Sequence, residues 1–211
     1  MSLIETRILT EDTLIGFWKL EEDSSELLEI MKNKLDEEEI AAYKRFNHER
    51  RRCEWLASRI LITALLGHYP KIHYEESGKP YIDNGLNISI THSYEIVGVM
   101  VSKKKNIGVD VEKMNLRILK IEHKFMDESE LDGLKPISRL QSLYVNWCAK
   151  EAMYKAFNIN NFDFKDNFRL DPFDYKVNGE TTGQITQGDL VKKFTIHYRE
   201  FETYMVAWCA E

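Results

Sequence analysis

An internal repeat is the feature of this 211-residue chain that most constrains its fold. The stretch LDEEEIAAYK (35–44) and the stretch MDESELDGLK (126–135) share an apolar residue, Asp, Glu, an aliphatic residue and Lys at matching offsets. Further along each half, WLASRILITALL (55–66) matches WCAKEAMYKAFN (147–158) in its Trp and in two Ala residues. A chain that repeats itself in this way is expected to fold as two similar units.

The matching segments also predict the elements of each unit. Both copies of the first segment place Asp three residues before Glu, a pattern typical of a helix N-terminus. A weaker third match, between 94–102 and 201–210, falls on strand-like segments. We therefore predict fold class α+β, with two similar α+β halves, 1–106 and 107–211. They are expected to pack as an intramolecular pseudo-twofold dimer with the active site in the crevice between them.

The strand-like stretch IGVDVEK (107–113) contains two acids that a buried strand would ordinarily exclude. Alternate residues of a strand share a face, so Asp110 and Glu112 point the same way, with Cβ atoms about 6.6 Å apart. Both carboxylates can then converge on one small cation. The alternative is a solvent-exposed strand face, with the acids solvated or paired to Lys113 or to the lysines at 103–105.

The helical stretch WCAKEAMYKAF (147–157) carries Glu151 and Lys155 four residues apart, with Lys150 beside them. Such a pair on a helix surface is common and contributes only a few tenths of a kcal/mol. Taken with Asp110 and Glu112, however, Glu151 completes a set of three carboxylates that suits Mg²⁺. The neighbouring lysines suit a phosphate ligand shared with that cation.

A third motif consists of ESGKPYI (76–82) followed by LNISITHS (86–93). The first stretch predicts a turn that carries Lys79, and the second predicts a strand that ends in Thr91, His92 and a serine. Phosphate oxygens would suit all of these groups. The alternatives are a turn that occurs by chance and a histidine with a purely structural role.

Composition limits the class of protein. The net charge of −6 and the pI near 5.6 give no overall basic surface for nucleic acid. No apolar run is long enough to span a membrane and the N-terminus does not resemble a signal peptide, so we expect no membrane association and a cytoplasmic location. The three cysteines, Cys53, Cys148 and Cys209, lie in apolar contexts and are expected to be buried free thiols.

Together and in this order, SGKPYI, NISITHS, IGVDVEK, FMDESELDGL and WCAKEAMYKAF resemble the 4'-phosphopantetheinyl transferase superfamily, of the surfactin-synthetase-activating type. The family signature is Gly-(Ile/Val)-Asp-(Ile/Val)-Glu, followed about forty residues later by Trp-x-x-Lys-Glu-(Ala/Ser)-x-x-Lys. Both parts are intact here. The resemblance covers residues 44–157.

The resemblance implies an enzyme that transfers the 4'-phosphopantetheine moiety of coenzyme A to a serine of an apo acyl or peptidyl carrier protein. The products are the holo carrier and 3',5'-ADP. It also implies Mg²⁺ or Mn²⁺ as the metal and coenzyme A as co-substrate. We expect a monomer, because a duplicated chain can supply both halves of a site. The alternatives are a non-catalytic module that binds coenzyme A or a carrier protein, and a metal-dependent phosphohydrolase.

The resemblance also implies residue roles around the acidic motifs. Asp110, Glu112 and Glu151 would hold the metal on the pyrophosphate. Glu151 would in addition serve as the base for the serine hydroxyl, directly or through water. Lys155 would be catalytic and would contact the pyrophosphate, with Lys150 assisting.

Further roles concern the coenzyme A pocket. Gly78, Lys79 and Pro80 would line its nucleotide end, while Thr91 and His92 would contact phosphates. The sequence has threonine where the family more often has serine before the histidine, which retains the hydroxyl.

Two assignments stay open at this point. The 3'-phosphate of coenzyme A would be bound from the basic cluster Lys44, Arg45, Arg50, Arg51 and Arg52, without a residue being singled out. Glu130 matches an acidic position associated with the family site, yet it also occupies the third position of a predicted helix cap.

Overall fold

The structure, a computed structural model, describes residues 3–83, 85–104, 106–157 and 161–210. Lys105, one of the lysines at 103–105, and Asn158 at the end of the repeat therefore lie outside the described residues. The chain divides into two units, Met1–Lys103 and Lys104–Glu211. Each contains helices and one antiparallel sheet. The chain is thus a mixed α and β protein with two sheets.

Within the described residues, the first unit contains six strands and three helices. They are β1 (Leu3–Thr10), β2 (Thr13–Lys19), α1 (Ser24–Met31), α2 (Glu37–Lys44), α3 (Glu49–Leu66), β3 (Ile72–Tyr74), β4 (Pro80–Ile82), β5 (Asn87–Ser93) and β6 (Ile96–Ser102). The strand order in the sheet is β1-β2-β6-β5-β4-β3. The long helix α3 packs on β2 and β6, and the core of the unit lies between this helix and the sheet.

The second unit contains five strands and three helices among its described residues. They are β7 (Ile107–Lys113), α4 (Glu128–Asp132), α5 (Arg139–Phe157), α6 (Phe164–Asn167), β8 (Phe168–Leu170), β9 (Asn178–Gln187), β10 (Leu190–Phe201) and β11 (Tyr204–Ala210). The connection from β7 to α5 also includes 3₁₀ turns at Leu116–Lys120, Glu122–Lys124 and Pro136–Ser138. The sheet order is β7-β11-β10-β9-β8, and α5 packs on β7 and β11.

The two sheets share one topology. The order β2-β6-β5-β4-β3 of the first unit corresponds strand for strand to β7-β11-β10-β9-β8 of the second, with β1 as an additional edge strand. The long helix also packs on corresponding strands in both units. The repeat found in the sequence is therefore a repeat of one folded unit.

Helix capping follows the predicted pattern. Asp36 accepts a hydrogen bond from the backbone N–H of Glu39 at 2.9 Å and begins α2. Asp127 accepts one from the N–H of Glu130 at 2.8 Å, while the Glu130 side chain accepts from the Asp127 N–H at 3.1 Å. Each cap satisfies amide groups that have no partner inside the helix. Both predicted helix starts are confirmed.

The apolar surroundings of the cysteines also agree with the sequence. Cys53, Cys148 and Cys209 are buried and free, as predicted. Among the described residues, no helix has the length and apolar character needed to cross a membrane.

Candidate active site

The acidic strand and the charged helix of the second unit meet side by side. Asp110 is 5% exposed at the centre of β7. Lys155, from α5, donates to Asp110 Oδ1 at 2.7 Å and to the carbonyl of Val109 at 3.1 Å. A buried carboxylate needs such a partner, because leaving it ionised and unpaired is costly. The open-surface alternative for Asp110 is therefore wrong.

Glu112 lies on the same face of β7 as Asp110, as the period of the strand predicted. Its Oε1 accepts a hydrogen bond of 3.4 Å from the indole N–H of Trp147, which also belongs to α5. Gly108 lies on the same face, since it is two residues before Asp110 in the strand. A Cβ built on Gly108 would lie 1.8 Å from the carbonyl oxygen of Ala152 in α5. The small residue lets the strand and the helix approach closely.

Glu151 is electrostatically coupled to both strand acids. Burial raises the pKa of the Glu151 carboxyl to about 7, with repulsion from Asp110 and Glu112 adding to the shift and Lys155 opposing it. The three carboxylates therefore influence one another, and their donor set of hard oxygens fits Mg²⁺ or Mn²⁺. In the described part of the chain, no group of three acidic, histidine or cysteine side chains is already close enough to hold a metal ion. The metal assignment of these three residues stays a prediction.

Lys150 does not join this site. Its side chain is fully buried, and Nζ donates to the carbonyl of Phe125 at 2.6 Å, to Glu130 Oε2 at 2.9 Å and to the carbonyl of Phe164 at 3.3 Å. A lysine ammonium has three donor hydrogens, and these three acceptors can use all of them. Glu130, in turn, caps α4 and also binds Lys150. The predicted cap is confirmed, while a role of Glu130 at the family site stays a prediction.

The first unit contains a separate pocket of about 220 Å³. Its lining includes three of the residues predicted to bind coenzyme A, namely Gly78, Pro80 and His92. Gly78 has φ +84°, which a residue with a side chain adopts only with strain. Thr91, by contrast, is buried, and strand alternation places it on the face of β5 opposite His92. Lys79 lies in the same turn as Gly78 but outside the lining, and burial lowers the pKa of its ammonium group.

A buried carboxylate organises the basic groups of this pocket. Glu54, whose side chain is 5% exposed, contacts Arg50 Nε and Arg51 Nη1, each at 2.9 Å. Its Oε1 lies 3.5 Å from His92 Nδ1. Arg51 Nη1 is 2.7 Å from His92 Nε2, and since a guanidinium only donates, that histidine nitrogen accepts. Of the basic cluster at 44–52, Arg51 is thus the member that lines the pocket.

Sequence reasoning missed the other residues of the pocket lining. They are Phe46, Glu54, Trp55, Ser58, Tyr74 and Ile90. A signal was present in α3, where Arg51, Trp55 and Ser58 recur at helical spacing and so share one face. The three aromatic rings could have been recognised as a stacking surface only once the turn and the helix were known to be neighbours.

Comparison with known proteins gives a match in the half that contains the acidic site. Residues 106–209 match the profile of the 4'-phosphopantetheinyl transferase superfamily. The resemblance to this superfamily that the motifs indicated is confirmed by this match, which covers just under half of the chain.

The named proteins that resemble this chain are also 4'-phosphopantetheinyl transferases. The 4'-phosphopantetheinyl transferase AcpT of Salmonella typhimurium is 28% identical over 112 residues, which cover 50% of this chain and 58% of that protein. The 4'-phosphopantetheinyl transferase gsp of Aneurinibacillus migulanus is 27% identical over 139 residues, or 64% of this chain and 56% of that one. For the 4'-phosphopantetheinyl transferase HetI of Nostoc, identity is 27% over 160 residues, with 67% and 68% covered. The match thus spans little more than half the length of the first two relatives.

Proposed function

We propose that this chain transfers the 4'-phosphopantetheine moiety of coenzyme A to a serine hydroxyl of an apo acyl or peptidyl carrier protein. The serine oxygen forms a bond to the phosphorus that bears the pantetheine arm, and the bond from that phosphorus to the bridging oxygen of the pyrophosphate breaks. The leaving group is 3',5'-ADP, and the serine proton passes to a base. The observation that carries this proposal is the contact of Lys155 with buried Asp110, beside two further carboxylates.

The acidic site supplies the groups that the reaction needs. Asp110, Glu112 and Glu151 would hold Mg²⁺ or Mn²⁺, which when bound would neutralise pyrophosphate charge. Glu151 is the candidate base for the serine proton, directly or through water. Lys155 is the candidate cation for the charge that develops on the pyrophosphate, since its side chain is 26% exposed while Nζ contacts Asp110.

The pocket of the first unit is proposed to bind the nucleotide end of coenzyme A. The guanidinium of Arg51 offers donors for a phosphate beside His92, and the backbone at Gly78 can approach a ligand closely. The aromatic side chains in the lining offer a surface on which a purine can stack. Lys79 stays a candidate from the adjoining turn, whereas the buried position of Thr91 leaves it without support.

The remaining expectations are carried forward as parts of the proposal. Pseudo-twofold pairing of the two halves, with the active site between them, is supported by their shared strand order. A location in the reducing cytoplasm is supported by the three buried free thiols. A monomer remains the expected state, and a light-scattering mass of two chains would contradict it.

Intact-mass spectrometry of an apo carrier protein tests the transfer directly. The carrier is incubated with coenzyme A and this protein, with Mg²⁺ or with EDTA, beside Glu151→Gln and the exposed control Glu128→Gln. We expect a metal-dependent mass gain equal to phosphopantetheine with the wild type and the control, and none with Glu151→Gln. Coenzyme A binding without any mass gain over several carriers would favour the binding module. Consumption of coenzyme A without a carrier would favour a phosphohydrolase.

A further inference from the structure

A fully buried ion pair lies in the second unit beside the candidate active site. Lys150 and Glu130 are 2.9 Å apart, and their side chains are 0% and 5% exposed. Each also bonds to main-chain groups. Lys150 bonds to two carbonyls, while Glu130 accepts from the N–H groups of Asp127 and Leu170 at 3.1 and 3.3 Å. One pair therefore ties α5 to α4, α6, β8 and the connection that precedes α4.

The first unit contains a buried pair of the same kind. Arg59 of α3 contacts Glu39 of α2 at 3.3 Å, with side chains 2% and 7% exposed. In both units the two partners are 20 residues apart in the chain. In both, the acid is three residues after the aspartate that caps its helix. The acids correspond in the repeat, whereas the cations are one position apart, since the match of Trp55 with Trp147 places Arg59 against Glu151. Each unit thus has its own buried pair between its long helix and its capped helix.

The two units differ in the residues of the acidic site. When the Ile-Gly sequences of β2 and β7 are superimposed, Trp18 stands where the second unit has Asp110. A buried cation–carboxylate pair therefore occurs in a unit that has no aspartate at this position. This argues that the pair serves the packing of the helices, and that Lys150 was not introduced to bind a phosphate.

The second-unit pair is nonetheless linked to the candidate site. The carbonyls that accept from Lys150 belong to Phe125 and Phe164, whose rings lie 5.1 and 5.4 Å from the ring of Trp147. Trp147 in turn donates to Glu112 Oε1 at 3.4 Å. The backbone segments that Lys150 holds therefore form the support of the indole that contacts Glu112.

We infer that Lys150 is a positioning residue, which acts through the Phe125 and Phe164 segments and Trp147 to hold Glu112 in place. This inference rests on the proposed function where it concerns catalysis. It replaces the role of phosphate contact that the resemblance implied for Lys150.

The test is a double-variant cycle of Lys150→Met and Glu130→Gln, with exposed Lys165→Met as the control. Lys150→Met leaves a buried carboxylate without its cation and should lower Tm by about 6–15 °C. Glu130→Gln leaves the cation alone and should also lower Tm. The double variant removes both charges while a glutamine can still accept the cap bond, so its Tm should exceed that of Lys150→Met by at least about 5 °C.

Kinetics and ligand binding, measured well below the lowest Tm, separate positioning from a merely structural role. Lys150→Met should lower kcat at least about tenfold, with KM for coenzyme A changed less than about twofold. Its affinity for Mn²⁺, followed by electron paramagnetic resonance, should fall, because Glu112 is less well held. The double variant should recover most of the loss in both kcat and Mn²⁺ affinity.

Two results would overturn the inference. A KM or calorimetric Kd for coenzyme A that rises at least about tenfold in Lys150→Met and is not restored in the double variant would make Lys150 a phosphate ligand. Stability rescue without recovery of Mn²⁺ affinity would make the pair purely structural. If the wild type shows no transfer at all, the proposed function fails, while Tm, Mn²⁺ affinity and the Kd for coenzyme A still decide the role of Lys150.

Discussion

Replacement of Gly108 by alanine should disrupt the second unit far more than the corresponding change in the first. A Cβ at Gly108 would lie 1.8 Å from the oxygen and 2.7 Å from the carbon of the Ala152 carbonyl, and 3.1 Å from the Ala156 nitrogen. All three are main-chain atoms of α5, so relief requires the strand and helix to separate by more than about 1 Å. At Gly16, the nearest atom is Leu61 Cδ1 at 2.9 Å, the end of a side chain that can change rotamer.

These geometries set the expected magnitudes. Overpacking that side chains can absorb costs about 1 kcal/mol, which is our expectation for Gly16→Ala. Gly108→Ala should cost at least about 3 kcal/mol, or about 6–12 °C in Tm. It should also reduce transfer activity below the level that its folded fraction explains, because β7 carries Asp110 while α5 carries Lys155.

Urea unfolding followed by circular dichroism measures both variants, with unchanged slopes required for comparison. Gly133→Ala serves as a further control, since a Cβ there meets no atom closer than 3.5 Å. Equal stabilities for the Gly108 and Gly16 variants would refute the close approach of β7 and α5 on which the site geometry depends.

The remaining predictions concern charged residues of the two candidate sites, with exposed Lys34→Met as a shared control. Lys155→Met should slow carrier modification about a hundredfold or more in steady-state assays, and turnover within tenfold of wild type would remove Lys155 from the mechanism. Arg51→Met should raise the calorimetric Kd for coenzyme A about tenfold, whereas unchanged affinity would exclude the first-unit pocket as its site. Because the pKa of Glu151 is raised from 4.5 to about 7, its ionisation destabilises the metal-free protein as pH rises through that interval. Glu151→Gln should therefore be more stable than wild type by about 2–3 kcal/mol near pH 8 and equally stable near pH 4 in EDTA, and a difference that does not depend on pH would contradict the assigned shift.

Local patterns in the sequence were sufficient for much of the fold. The aspartates at 36 and 127 predict helix starts because a cap depends on residues only three apart. The alternation in IGVDVEK predicts that Asp110 and Glu112 share a face for a similar reason. The edge strand β1, by contrast, has no counterpart among the described residues of the second unit, so the repeat could not reveal it.

Non-local contacts explain what the sequence left undecided. Lys150 sits in a helix beside Glu151 and Lys155, where a surface charge or a phosphate contact is the natural interpretation. Its ammonium group can be buried because it donates to two carbonyls, that of Phe125 before it in the chain and that of Phe164 after it. The local amino-acid sequence cannot predict such acceptors, because every residue type has a backbone carbonyl.

Comparison of the two units shows how the charged residues of the candidate site are accommodated where a strand packs against a helix. At corresponding positions the first unit has Trp18, which is buried, and Thr63, whose hydroxyl donates to a carbonyl of its own helix at 2.7 Å. Neither needs a partner across the strand and helix. The second unit has Asp110 and Lys155 there, and each satisfies the other at 2.7 Å. Because a lone aspartate buried to this degree would be strongly destabilising, the two charges depend on each other for stability as well as for the chemistry proposed here.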